Sequence, residues 1–150
     1  MPVVTVADVL RHAEQFERML ADYYRHLAEE TPREGVRLLT DYMSRHRARL
    51  TGALARLDPD QVRRIREEPI RYEPQAADCR CFEGVDLPAE ATAGQVLDIA
   101  VTLDECLVRL YRQAARQSAD LEVRALFESL IRAEQRDEIE LKKIKAMDYF

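Results

Sequence analysis

Five side chains in this sequence have the types and the spacing to act together: Glu17, His46, Asp104, Glu134 and Asp137. Each interrupts a run of apolar residues spaced three and four apart, the pattern of the packed seam of a helix. The four runs are Leu10, Ala13, Glu17, Leu20, Tyr24, Leu27; Val36, Leu39, Met43, His46, Leu50, Ala53, Leu57; Leu97, Ala100, Asp104, Leu107, Tyr111, Ala114; and Val123, Phe127, Leu130, Glu134, Asp137, Leu141, Ile144. In every run the polar break falls at or near the middle, so four helices packed in a bundle bring four carboxylates and one imidazole to a common height. No Lys or Arg stands on any of the four runs. Burying one unpaired carboxylate costs several kcal/mol, and protonation, water or a bound cation can offset that. Oxygen ligands with one imidazole suit iron or manganese, and zinc is compatible. These residues therefore form a candidate metal site for one or two iron ions. Glu14 and Glu105, beside the seams, are reserve ligands.

The elements that must position these groups carry their own signals. Thr5, Leu10, Ala13, Glu17 and Tyr24 recur 87 positions later as Thr92, Leu97, Ala100, Asp104 and Tyr111, which marks two copies of one helical unit. Helix starts are read at Thr5-Val6-Ala7-Asp8, at Thr31-Pro32-Arg33-Glu34, at Thr92-Ala93-Gly94-Gln95 and near Ser118 or Asp120. The expected helices cover about 5–30, 31–57, 92–117 and 119–147. Tight joints make each successive pair an antiparallel hairpin. Between the hairpins, about 58–91, Pro59, Pro69, Pro74, Pro88 and Gly84 forbid one continuous helix, although Asp58-Pro59 can start a short one through Arg66. The expectation is an all-α, single-domain four-helix bundle in which this stretch is a crossover strap. Tyr24 and Tyr111 lie roughly 10 Å along the axis from their acids, too far to share an ion. They are expected to fill the bundle, with their hydroxyls meeting polar groups.

A chain of 150 residues is long enough for one sizeable core. Its net charge of −5 argues against nucleic acid as a partner, and no apolar run reaches membrane-spanning length. The N-terminal residues have no secretory pattern, and three cysteines suit a reducing cytoplasm. Cys79-Arg80-Cys81 supplies half a structural zinc site at most and is read as surface. The Arg-rich second helix is a candidate surface for an acidic partner, and a homodimer is a compatible assembly.

Ala13-Glu14-Gln15-Phe16-Glu17 with Tyr23-Tyr24-Arg25-His26-Leu27-Ala28 resembles the first helix of the rubrerythrin branch of the ferritin-like superfamily. Ala100-Val101-Thr102-Leu103-Asp104 with Tyr111-Arg112-Gln113-Ala114-Ala115 resembles its third. That family holds two iron ions with one Glu on each of two helices and a Glu-x-x-His on each of the others. The resemblance implies that Glu17 is the first Glu and that Asp104 replaces the second. Met43-Ser44-Arg45-His46 keeps the His of one motif without its Glu, and Glu134-Gln135-Arg136-Asp137 keeps the Glu of the other with Asp in place of His. The two Cys-x-x-Cys pairs of the rubredoxin module are missing, so redox work would need an external electron-donor protein. The function implied is a metal-binding, rubrerythrin-like protein with iron- or peroxide-linked redox activity. The alternative is a non-catalytic bundle with a decayed site that acts in protein–protein interaction.

Overall fold

The computed structural model describes residues 4–55, 57–71 and 79–147, and among them it is all-helical apart from one isolated β-bridge between Thr5 and Pro69. Helix α1 spans Val6–Glu30, α2 Glu34–Ala55, α3 Pro59–Ile65, α4 Ala93–Arg116 and α5 Leu121–Met147, with a 3-10 turn at Cys79–Phe82. Helices α1 with α2, and α4 with α5, form two hairpins, and α1 and α2 both pack against α4. Leu20, Leu97 and Leu107 are buried as the seams require, while Leu10 is half-buried at the end of its stripe.

Helices α1 and α4 begin with the same kind of cap. Thr5 and Thr92 each accept a hydrogen bond from the backbone N–H three residues on, and Asp8 and Gln95 reach back to the cap N–H. These reciprocal boxes satisfy donors that a helix start leaves orphaned. The third expected box does not form. The Thr31 hydroxyl accepts from the Arg33 N–H, two residues on, and α2 begins only at Glu34, which leaves Pro32 in the connection. Thr31 closes α1 instead, donating its N–H to the Leu27 carbonyl. At the start of α5, Asp120 accepts from the N–H groups of Glu122 and Val123.

The crossover packs closely on α1. Asp58 caps α3, and the chain then runs beside the start of α1, where the Val6 and Ala7 N–H groups donate to the Glu68 and Arg66 carbonyls. Two more orphan donors of α1 are thereby satisfied by the strap. Ile70 donates its N–H to Val4, and Arg71 donates to Gln117 at the end of α4. Further on, Phe82 lies 5.5 Å from the Phe16 ring and 5.4 Å from Tyr23, and the Tyr23 hydroxyl donates to the Val85 carbonyl at 2.9 Å. Gly84 takes φ +76°, a left-handed conformation that glycine adopts without steric cost, at the turn into Val85.

Candidate metal centre and its arginine

Four acids meet at the bundle centre. Glu17 of α1, Asp104 of α4 and Glu134 of α5 are buried, and the Asp137 carboxylate, one turn beyond Glu134, is nearly so. The seam spacing puts them there: each sits where the run on its helix would otherwise place a leucine. Oxygens of Asp104, Glu134 and Asp137 all lie within 4.8 Å of one another, close enough to share a metal ion.

The centre also contains a cation that the seams do not show. Arg47, 2% exposed, enters from α2 and reaches all four acids. Its Nη1 donates to both oxygens of Glu17 at 3.2 Å and to those of Glu134 at 3.0 and 3.3 Å. Its Nη2 donates to Asp137 at 2.7 Å and to Asp104. Nη1 thus joins one acid from each hairpin, Glu17 and Glu134, whereas both acids at Nη2 come from the second hairpin. The expectation of four acids without a counter-charge is corrected here. The buried face of α2 runs Val36, Thr40, Met43, Arg47, with Leu39 beside it. His46, three residues past Met43, lies at its rim.

His46 is accordingly the most exposed of the five expected residues, with 33% of its side chain open. Its Nε2 lies 2.8 Å from Asp137 Oδ1, and its ring stacks on Tyr42 at 5.9 Å. That nitrogen is engaged by a carboxylate. Of the reserve ligands, Glu14 pairs on the surface with Arg18, and Glu105 is exposed. Met43 is buried in the apolar core and contributes no donor. Tyr24 and Tyr111 fill the bundle as expected, with Tyr111 stacked on Phe127, but the Tyr24 hydroxyl finds no hydrogen-bond partner among the described residues. Cys81 is half-buried and Cys106 buried, and the Cys79 side chain lies outside the described residues.

One guanidinium among four carboxyls leaves the centre three positive charges short. Burial pushes the carboxyls of Glu17 and Asp104 well above the usual range, despite the Arg47 charge beside them. Burial also acts on Asp137, but the His46 bond, a hydrogen bond from Asp104 and the Arg47 charge outweigh it and bring its pKa down to about 2. For Arg47, burial works against the charge, yet the four acids hold the guanidinium proton more firmly than in water. Burial thus draws Glu17 and Asp104 towards protonation while Asp137 is held ionised beside the same arginine. Burial and the Asp104 charge likewise push the Tyr24 hydroxyl up.

The donor set fits a metal only in part. The acid cluster has the chemistry for a divalent ion, and among the described residues no donor group meets the buried Asp104 Oδ2. A dinuclear centre does not fit with Arg47 in place, because its nitrogens stand at the oxygens that would have to coordinate. The adjoining cavity, lined by Tyr24, Tyr42, Met43, His46, Arg47, Asp137 and Leu141, is about 20 Å³. That is room for about one water and not for the displaced side chain.

No protein-family model matches the sequence, and no curated protein does. One solved structure is similar over the whole chain: a Thermotoga maritima protein provisionally described as a ferritin-like diiron-carboxylate protein, with 16% identity, a TM-score of 0.62 and 97% of each chain covered. With the helix order and the hairpin pairing, this similarity identifies the architecture: the chain has the ferritin-like fold.

Proposed function

We propose that this protein is a ferritin-like bundle that works without a resident metal, as a non-catalytic unit acting through protein–protein contacts. The observation that carries the reading is Arg47, whose guanidinium engages all four acids where metals would lie. Two features support it. Met43 withholds the ligand that the family places on α2, and the cavity beside the acids has no space for an oxygen or peroxide substrate as well as an ion. The contact surface proposed is the outer face of α2. There Leu38, Tyr42, Arg45 and Arg49 follow one another at spacings of four, three and four, all exposed. This surface is smaller than the arginine count of α2 suggests: Arg47 is buried, Arg33 and Arg37 bond the Glu90 and Thr31 carbonyls, and Arg45 pairs with Asp41. An acidic partner or a second copy of the chain fits it.

A second reading, iron- or peroxide-linked redox chemistry fed by an external electron donor, draws support from the excess of acids over cations and from the unpartnered Asp104 Oδ2. In it, Glu17, His46, Asp104, Glu134 and Asp137 hold iron or manganese after Arg47 withdraws. One experiment decides between the two. Protein from iron- and manganese-supplemented cells is analysed for metal, and its Tm is measured with and without added Fe(II) or Mn(II). The metal-free reading expects substoichiometric metal and an unchanged Tm. An ion that binds only the folded state would raise Tm, and stoichiometric metal with a raised Tm would establish the second reading.

A further inference from the structure

We propose that the four acids form a cage for a guanidinium-class cation, and that Arg47 is its tethered ligand. The inference rests on the metal-free reading and names the chemistry of the same centre. A point charge would be satisfied by any three of these oxygens. The observed pattern instead divides the acids between two nitrogens: Nη1 lies between Glu17 and Glu134, and Nη2 between Asp104 and Asp137. The acids come from three helices and the cation from the fourth, so one planar fork ties the whole bundle together at its centre. A planar guanidinium carries its donors on separate nitrogens in fixed directions, so it can serve two pairs of acids at once, whereas an ammonium presents all its donors from one nitrogen. The acids arise from the repeat and from α5, whereas the cation comes from α2 alone. Shortening residue 47 therefore empties the cage without altering its walls, and a free guanidinium ion can take the vacated place.

The test is rescue. Arg47→Ala is expected to lower Tm by about 10 °C, since it leaves buried acids without their partner. Millimolar guanidinium is expected to recover part of that loss in Arg47→Ala and none in wild type, whereas urea and tetramethylammonium at equal concentration recover nothing. Arg47→Lys, which keeps the charge and loses the fork, is expected to fall between wild type and Arg47→Ala. If Arg47→Ala does not fold, Arg47→Lys carries the test, and guanidinium in the refolding buffer should restore soluble Arg47→Ala. The proposal is overturned if Arg47→Lys matches wild type, if guanidinium does no better than urea, or if Mn(II) rescues Arg47→Ala and guanidinium does not, because the acids would then answer to charge alone. If guanidinium fails to rescue Arg47→Ala while the wild type ignores metal, this inference falls and the metal-free reading stands. Stoichiometric metal in wild type sinks that reading first.

Discussion

Glu17 and Asp104 each face burial and a shared guanidinium, and burial wins, so both take up protons more readily folded than unfolded. A carboxyl with a raised folded pKa adds stability that is complete below its unfolded value, 4.5 for Glu17 and 3.8 for Asp104, and is lost as pH climbs through the folded value. Asp137 acts in the opposite sense, its contribution fading as pH falls from 3.8 through about 2. Thermal melts from neutral pH down to about pH 5 should therefore show Tm rising on acidification, before strong acid reverses it. Glu17→Gln with Asp104→Asn should flatten that rise, and a wild type that loses stability steadily from pH 7 downwards would contradict the assignment. At Met43 the same arithmetic is harsher. Met43→Glu, which restores the family's missing acid, adds a fifth carboxyl around one arginine and should destabilise the fold by on the order of 3 kcal/mol. Denaturant melts should show the loss to be greater at pH 8 than at pH 5; a gain in stability would mean that Arg47 had room for another partner.

At the scale of the elements, the two threonine boxes and the apolar spacings could be read directly, because a capping box is a local device and a heptad seam is a periodicity. The start of α2 was misplaced for a related reason: Thr31-Pro32-Arg33-Glu34 has the composition of a box, but Thr31 is already committed to ending α1. The strap's role is less local. Its carbonyls at Arg66 and Glu68 complete the start of α1, and Tyr23 and Phe82 fasten its later part. Tyr23→Phe should cost about 1 kcal/mol by removing the bond to the Val85 carbonyl. Phe82→Ala should cost more, since it strips the ring from both Phe16 and Tyr23. Hydrogen exchange at the Val6 and Ala7 amides would test whether the strap loosens with these changes. Protection unchanged in Phe82→Ala would show that the segment near α3 holds α1 by itself.

For the whole molecule, the metal-free reading predicts that a cation supplied by the chain makes folding independent of any ion in the medium. Unfolding and refolding in the presence of a strong chelator should give the same midpoint as in added Mn(II), and the transition should be two-state for a single domain of this size. A chelator-dependent midpoint would return the metal to the centre. Association through α2 should be sensitive to Leu38→Glu and Tyr42→Ala. Sedimentation or pull-down measurements across salt would separate the apolar part of the contact from the part due to Arg45 and Arg49, which is screened.

The sequence by itself determined the four long helices, their pairing in two hairpins, and the meeting of Glu17, Asp104, Glu134 and Asp137, because each follows from spacing along one chain. The tertiary structure alone decided what lies between those acids. On a helix, His46 and Arg47 are 100° apart, and a seam of alternating threes and fours through Val36 and Met43 can continue through either. An arginine read in sequence is a surface residue by default, since its long stem lets the charge reach water from many positions. Which of the two faces the centre depends on how α2 is rotated against α1, α4 and α5, and no local signal records that angle. The rotation observed turns Arg47 inward and leaves His46 at the rim on Tyr42. A group of acids read as a place for metal is, once assembled, a place already held by an arginine.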